Sequence, residues 1–239
     1  MGKRTKNLLI ASTSTIHGEA YLSYLFPQLT VLFKGVEEIL FIPYAKPGGM
    51  TYQEYTSNAK DAFERIGKSI KGIQEFPNAR EAVKAAKGIF VGGGNTFMLV
   101  DDLYKNDLMD VLKIAVENGI PYLGTSAGSN IVGLTMQNTN DMPIVYPPSF
   151  ETLGLINFNI NAHYLDPDPD STFMGETRET RINEFHKVSA IPVLGMREGS
   201  WLEVRGDQTQ LKGALTARLF QRGKAPKEYA PKSNFSFLG

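Results

Sequence analysis

Short apolar runs alternate along the chain with longer segments whose hydrophobic residues recur at helical spacing. The apolar runs predict strands, several of them buried on both faces, at residues 7–12, 38–45, 88–93, 121–126 and 192–197. The longer segments predict helices at residues 52–67, 78–87 and 95–119, the last divided into two near Asn106. Strand–helix alternation of this kind predicts an α/β fold with a doubly wound, mostly parallel sheet.

The C-terminal part of the chain has a different pattern. Residues 201–206 and 208–220 predict a terminal antiparallel ribbon. The chain has no long linker and no internal repeat, so we predict a single α/β domain over residues 1–220. The polar residues 221–239 predict a loosely attached tail.

Composition narrows the classes of partner. The chain has 239 residues, 42% of them hydrophobic, and its formal net charge is zero. This balance argues against binding to nucleic acid or to an anionic membrane surface, each of which favours a basic protein. The basic first residues precede only a short apolar run, too short for a secretory signal, and no stretch has the length of a membrane span. We therefore expect a cytoplasmic protein.

The absence of cysteine excludes disulfides, thiolate metal sites and a cysteine nucleophile. The acidic run 165–171 places Asp166, Asp168 and Asp170 as in the opening of an EF-hand loop. It lacks the glycine at the sixth position and the glutamate at the twelfth. We predict no metal and no cofactor.

The fourth predicted strand ends at a serine that has a glycine two residues before it and another two residues after it. The run from Gly124 to Gly128 reads GTSAG, which has the G-x-S-x-G form of a nucleophile elbow. In a doubly wound fold, reactive groups collect at the carboxyl ends of the strands, which is where Ser126 falls. Ser126 is the candidate nucleophile, although the pattern alone also fits a serine in a glycine-rich turn.

A serine nucleophile needs a base, and the chain has three histidines. His163 ends the alternating segment 156–162 and is therefore the candidate base. His17 reads as a loop or helix-start residue. His186 falls near the end of a charged helix, where a cation suits the helix dipole.

The base in turn needs a carboxylate that orients it. Glu198 follows another apolar strand, whereas Asp141 lies in a polar segment soon after Ser126. The order Ser126, Asp141, His163 would imitate an α/β-hydrolase, but too few residues separate the first two for the intervening helix and strand. Glu198 is therefore the preferred carboxylate. The alternative interpretation is that Glu198 is an ordinary glutamate in a hairpin turn.

Backbone N–H groups are the candidate oxyanion donors. Ala127 follows the nucleophile, and the glycine run before Asn95 offers Gly93 and Gly94, where no Cβ hinders a substrate. A glycine run before a helix can also cradle a phosphate, but the Lys-Ser/Thr ending of a P-loop is missing. Asn95 is a candidate substrate-binding residue.

The segment 175–185 opens a helix with two arginines three residues apart, Arg178 and Arg181. Pairing with neighbouring glutamates is the ordinary role of such arginines. The segment follows the His163 loop, so one arginine could instead bind a substrate carboxylate bidentately.

Six motifs in the same order resemble those of the S51 serine peptidases, the family of α-aspartyl dipeptidases. They are VGGGNTF, GTSAGSN, TNDMPIV, NINAH, GETRETRI and EGSW, between about residues 88 and 201. The resemblance implies a flavodoxin-like fold related to class I glutamine amidotransferases, with serine in place of their elbow cysteine. It implies a triad of Ser126, His163 and Glu198 that hydrolyses dipeptides with a free N-terminal aspartate. It also implies that Arg178 binds the aspartyl carboxylate.

Two alternatives stay open at this point. A cyanophycinase-like peptidase shares the GGGN and TSAG elements, although this chain looks short for one and has the TNDMPIV segment. A non-catalytic binder of a nucleotide or small ligand could use VGGGNT on the same scaffold. We expect a small peptide as the partner and a monomer or homodimer as the assembly.

Overall fold

The structure, a computed structural model, describes residues 5–170, 172 and 174–238. Its strands are β1 (Asn7–Ala11), β2 (Glu38–Ile42), β3 (Ser69–Gly72), β4 (Ile89–Val91), β5 (Tyr122–Thr125), β6 (Asn159–Asn161), β7 (Val193–Met196), β8 (Trp201–Arg205), β9 (Gln208–Lys212), β10 (Ala217–Phe220) and β11 (Lys227–Tyr229). Its α-helices are α1 (Phe26–Leu32), α2 (Tyr52–Glu64), α3 (Ala79–Ala85), α4 (Thr96–Lys105), α5 (Met109–Glu117), α6 (Ala127–Asn130) and α7 (Arg178–Val188).

The larger sheet has seven strands in the order β3-β2-β4-β5-β1-β8-β9. The first five in this order run parallel, and β8 and β9 add an antiparallel edge beside β1. The β8–β9 hairpin is the predicted antiparallel ribbon, but it extends the main sheet. The predicted segment 208–220 divides at Gly213, whose φ of 97° ends β9.

Helices cover both faces of the larger sheet, because alternate strand residues enter two separate cores. Leu8 of β1 belongs to the core that also contains Leu99 of α4. Leu9, the next residue, belongs to the core that contains Leu29 of α1 and Phe63 of α2. The fold is therefore the predicted doubly wound α/β class.

The predicted break in the long helical segment is present. α4 ends at Lys105 and α5 begins at Met109, with Asp107 between them at a φ of 51°. α2 begins with a capping box in which Thr51 and Glu54 bond reciprocally. α1 and β3 were not predicted. None of the helices in the described ranges combines the length and apolar character that crossing a membrane requires.

A second sheet has the order β11-β10-β7-β6. β6 and β7 are parallel, and β10 and β11 add antiparallel strands. The predicted strand at 192–197 lies here, not in the larger sheet. α7 packs on this sheet through Ile182 and Phe185.

The expectation of a loosely attached C-terminal tail is wrong. β11 pairs with β10, and Phe235 is fully buried in the main core. The Phe235 N–H donates to the carbonyl of Thr209 at 2.7 Å. The tail is polar overall, but one aromatic side chain fixes it in place. The boundary of the domain at residue 220 stays a prediction.

Candidate active site

Ser126 occupies a sharp turn between β5 and α6. Its φ of 51° and ψ of −109° lie in a region that side chains rarely adopt, at a cost of about 1–3 kcal/mol. Its N–H donates to the carbonyl of Ala11 at 3.1 Å, and the hydroxyl of Ser129 donates to the same carbonyl at 2.6 Å. The turn is thereby fixed to the carboxyl end of β1. It places the Ser126 hydroxyl at the carboxyl ends of the parallel strands.

The two glycines of the G-x-S-x-G pattern permit close packing around this turn. A Cβ on Gly124 would overlap the carbonyl of Gly128, and a Cβ on Gly128 would overlap the carbonyl of Val91 in β4. The first turn of α6 therefore rests directly on β4. This close packing is the physical reason why the G-x-S-x-G pattern has glycine at positions 124 and 128.

His163 joins Ser126 and Glu198 in one hydrogen-bonded row. His163 Nε2 lies 2.8 Å from Ser126 Oγ, and His163 Nδ1 lies 2.6 Å from Glu198 Oε1. An ionised carboxylate only accepts hydrogen bonds, so Nδ1–H donates to Glu198. In neutral imidazole this leaves Nε2 free to accept from the Ser126 hydroxyl, as a general base requires.

The elements place each member of this row at a strand end. His163 is the second residue after the short strand β6. Its φ is 53°. Glu198 lies in the turn that joins β7 in the second sheet to β8 in the larger sheet. The site thus forms where the two sheets meet.

Asp141, the rival carboxylate, has other partners. Its Oδ2 accepts the N–H of Thr96 at 2.8 Å and the hydroxyl of Thr139 at 3.0 Å. Asp141 therefore caps the start of α4 and lines the cleft beside Ser126, while Glu198 takes the position next to His163.

Ser12 supports His163 and was missed by the sequence reasoning. The Ser12 hydroxyl accepts the N–H of His163 at 2.9 Å and donates to the carbonyl of Met196 at 2.7 Å. It therefore ties the end of β1 to the turn of His163 and to the end of β7. Its position at the end of the predicted strand 7–12 was the available signal, and that position does not identify the partners of the hydroxyl.

Buried asparagines hold the segment before Asp141 against β6, and they were missed as well. The amide of Asn161 donates to the carbonyl of Asn138 at 2.9 Å, and the amide of Asn138 donates to the carbonyl of Ile160 at 2.9 Å. Asn159 donates to the side chain of Asn138 at 2.8 Å. These bonds pair the buried polar groups of both segments with hydrogen-bond partners. They also fix the position of Asp141 relative to His163.

Three backbone N–H groups near Ser126 donate to no acceptor in the described residues, those of Gly93, Gly94 and Ala127. A Cβ on Gly93 would lie 3.0 Å from Ser126 Cβ, which shows how closely the glycine loop approaches. Gly94 has a φ of 133°, which glycine readily adopts. The Tyr55 hydroxyl donates to the carbonyl of Gly93 at 3.1 Å and thereby helps to hold the glycine loop in place. The arrangement can stabilise an oxyanion.

Ser126 and His163 open into a cleft of ≈ 610 Å³. Gly93, Gly94 and Asp141 line the same cleft. Burial raises the pKa of Tyr55, another lining residue, to about 12, so its hydroxyl stays protonated at neutral pH. A volume of this order holds a small ligand.

The two candidate substrate-binding residues, Arg178 and Asn95, are not among the residues that line the cleft. Arg178 is half-buried at the start of α7. Burial and the charge of Arg181 lower its pKa, while the carboxylate of Asp141 acts in the opposite direction. The guanidinium of Arg178 is therefore charged and within electrostatic range of Asp141.

Asn95 uses both ends of its side chain for structural bonds. Its Oδ1 accepts the N–H of Met98 at 3.1 Å and caps α4. Its Nδ2 donates to the carbonyl of Met142 at 2.9 Å. Its predicted substrate contact is not tested by this geometry and stays a prediction.

The other two histidines lie apart from this row. His186 is buried near the end of α7, and its Nε2 lies 3.0 Å from the carbonyl of Ile191. His17 is exposed in the loop after β1.

In the acidic run, Asp166 forms an ion pair with Arg197 at 2.7 Å.

Comparisons with a family model and with known proteins point to the same family. The family model described as "Peptidase family S51" matches residues 8–212. "Peptidase E" of Streptomyces coelicolor is 47% identical over 232 residues, which cover 97% of this chain and 94% of that protein. "Probable alpha-aspartyl dipeptidase" of Drosophila melanogaster is 42% identical over 236 residues, which cover 98% of this chain and 97% of that protein.

Two solved structures share the fold. A peptidase from an acI-B1 Actinobacterium superposes with a TM-score of 0.74 over 99% of both chains, at 18% sequence identity. A putative peptidase E protein from Listeria monocytogenes superposes with a TM-score of 0.65 over 87% of this chain and 98% of that chain, at 20% identity.

Proposed function

The chain belongs to peptidase family S51, and from this membership we propose that it is a serine exopeptidase that hydrolyses dipeptides with a free N-terminal aspartate. The observation that carries the proposal is the row Ser126–His163–Glu198, with contacts of 2.8 and 2.6 Å at the mouth of the cleft. The name of the Drosophila relative, "Probable alpha-aspartyl dipeptidase", supports a dipeptide rather than a polymer as substrate.

Each member of the row has a step in the reaction. Ser126 Oγ attacks the peptide carbonyl while its proton passes to His163 Nε2. The N–H groups of Gly93 or Gly94 and of Ala127 stabilise the oxyanion, and loss of one such donor typically costs about 100- to 1,000-fold in rate. Glu198 orients the imidazole and stabilises its charged form.

The leaving amine then takes the proton from His163, and the second residue departs as a free amino acid. The aspartyl ester that remains on Ser126 is attacked by water, whose proton passes to His163 Nε2. Collapse of this second tetrahedral intermediate releases aspartate and returns the proton to Ser126. The cycle uses these side chains, the backbone donors and water.

Charges near the cleft support the choice of aspartate. Arg178 offers a planar fork of donors for the β-carboxylate of the substrate. Asp141 lines the cleft and is of the right sign for the free α-ammonium group. A blocked N-terminus would lack the positive charge that the Asp141 carboxylate attracts. A small peptide partner, a cytoplasmic location and a monomeric or homodimeric state belong to the same proposal.

A panel of dipeptides tests this specificity. We predict that the purified protein releases aspartate from Asp-Leu and that N-acetyl-Asp-Leu and Leu-Leu are cleaved at least about 100-fold more slowly, as the loss of a paired charge implies. Product release is measured by chromatography. Equal rates on all three substrates would refute the specificity, and release of dipeptides from an aspartate–arginine polymer would favour the cyanophycinase-like alternative.

A further inference from the structure

One face of α2 forms a wall of the cleft. Tyr55, Asn58, Ala62 and Arg65 line it, spaced three or four residues apart, together with Asp61. Residues at this spacing lie on the same side of a helix. The wall runs from Tyr55, which supports the glycine loop, to Arg65, the residue that ends α2.

This wall and the start of α4, to which Asp141 bonds, lie on opposite faces of the larger sheet. α2 packs in the core that contains Phe63 and Leu29. Asp141, whose charge acts on Arg178, bonds to Thr96 at the start of α4, and α4 packs in the other core. A substrate that spans Ser126 can therefore contact both sides.

An Asp-X dipeptide carries one carboxylate on each side of its scissile bond. The β-carboxylate belongs to the acyl half, and the C-terminal carboxylate belongs to the leaving half. Under the proposed function, Arg178 binds the first of these, so the second needs a cation on the other side. Among the described residues that line the cleft, Arg65 is the one arginine or lysine.

Arg65 is available for such a contact. Its side chain is exposed to the cleft, and in the part of the chain that the structure describes it has no ion-pair or hydrogen-bond partner. Asp61 lies one turn earlier on the same wall, and its charge partly offsets that of Arg65. A guanidinium fork bonds a carboxylate with two parallel hydrogen bonds, which gives it an advantage over charge alone.

We propose that Arg65 binds the C-terminal carboxylate of the leaving residue and thereby selects dipeptides over longer peptides and amides. The inference rests on the proposed function. It assigns the α2 wall as the site of the second residue, with Arg65 as its specificity-determining group. A purely structural role for Arg65, as a cation that complements the dipole at the end of α2, would affect stability and all substrates alike.

The test compares Asp-Leu with Asp-leucinamide, which lacks the carboxylate, in wild-type protein and in Arg65→Gln. A charge-assisted contact of this kind corresponds to about a 10- to 100-fold preference of the wild-type protein for Asp-Leu in kcat/KM. In Arg65→Gln we expect this preference to fall to about twofold or less, mainly through a higher KM for Asp-Leu, with Asp-leucinamide unchanged. The matched control is Arg205→Gln, at the opposite end of β8 from the site, which should keep the wild-type preference.

Three outcomes would overturn the assignment. One is an unchanged preference in Arg65→Gln, and another is an equal loss on both substrates. The third is a wild-type protein that cleaves the amide as well as the acid. Failure of the proposed function has a different signature, because the wild-type protein would then cleave neither substrate.

Discussion

At the scale of single residues, two members of the hydrogen-bonded row have backbone conformations with positive φ. Ser126 and His163 both have positive φ angles, of 51° and 53°, which bulky side chains rarely adopt. A conformation of this cost persists only where surrounding contacts impose it, and the bonds to Ala11 and Ser12 do so here.

Glycine at position 126 would relieve the strain. We predict that Ser126→Gly is more stable than Ser126→Ala by about 1 kcal/mol, because alanine keeps the Cβ that disfavours this φ. Both variants lack the hydroxyl and should be inactive. Urea unfolding followed by circular dichroism measures the difference, and an alanine variant as stable as the glycine variant would contradict the role of strain.

The sequence was sufficient to propose Ser126, His163 and Glu198, because each one lies at or directly after the end of a recognisable strand, and the structure joins the three by hydrogen bonds. Ser12 could not be assigned in the same way. Its hydroxyl serves a backbone N–H 151 positions away, and no local pattern reports such a contact. The asparagines that hold the segment before Asp141 were missed for the same reason.

At the scale of elements, an ion-pair network ties together the segments that carry His163 and Glu198. Arg197, directly before Glu198, bonds bidentately to Asp166, which lies three residues after His163. Both contacts measure 2.7 Å. Arg197 also donates to Glu228 of β11 at 3.0 and 3.1 Å. The C-terminal strand therefore contributes to the position of the turns that carry His163 and Glu198.

This network predicts a dependence of stability on pH. Hydrogen bonds from Arg197 lower the pKa of Asp166. Burial acts to raise the pKa of Glu228, but hydrogen bonds from Arg197 and Thr216 outweigh it, and the pKa is lowered. A lowered folded-state pKa gives stability that is present above the unfolded-state pKa and is lost as the pH falls through the folded-state value.

We therefore expect the urea midpoint to fall between neutral pH and about pH 3, more steeply in the wild-type protein than in Arg197→Gln. Removal of the guanidinium removes the main cause of both shifts, so the curves of the two proteins should converge in acid. Parallel curves would show that the network does not contribute to acid stability.

The elements missed from the sequence are short. β3 has four residues, and α1 has seven with a proline at its start. Helices and strands of this length depend on tertiary packing more than on their own pattern. The break between α4 and α5 was predictable because Asn106 interrupts a long helical pattern.

At the scale of the whole molecule, the site depends on the meeting of two sheets. The larger sheet was predictable, since alternating strands and helices specify a doubly wound parallel arrangement. The second sheet was not, because its strands come from residues 159–161, 193–196, 217–220 and 227–229, and only long-range pairing brings them together. The C-terminal segment belongs to this assembly and also reaches the main core.

Phe235 fixes that segment to the core, beside Phe158 at 6.3 Å and Tyr229 at 5.0 Å between ring centroids. We predict that Phe235→Ala lowers the free energy of unfolding by about 3–5 kcal/mol, as loss of a buried phenyl ring does. Phe237→Ala is the matched control, since Phe237 is 58% exposed, and it should cost less than about 1 kcal/mol. Equal losses in equilibrium urea unfolding would mean that the tail does not anchor the molecule.

The central claim is that the folded molecule makes Ser126 a nucleophile through His163. Diisopropyl fluorophosphate tests it directly, because an activated serine Oγ displaces fluoride and keeps the phosphoryl group. Intact-mass and peptide-mapping mass spectrometry should find one adduct, on Ser126, in the native wild-type protein. His163→Ala and the urea-unfolded protein should show none. Absence of the adduct in the native protein, or equal labelling of His163→Ala, would contradict the account.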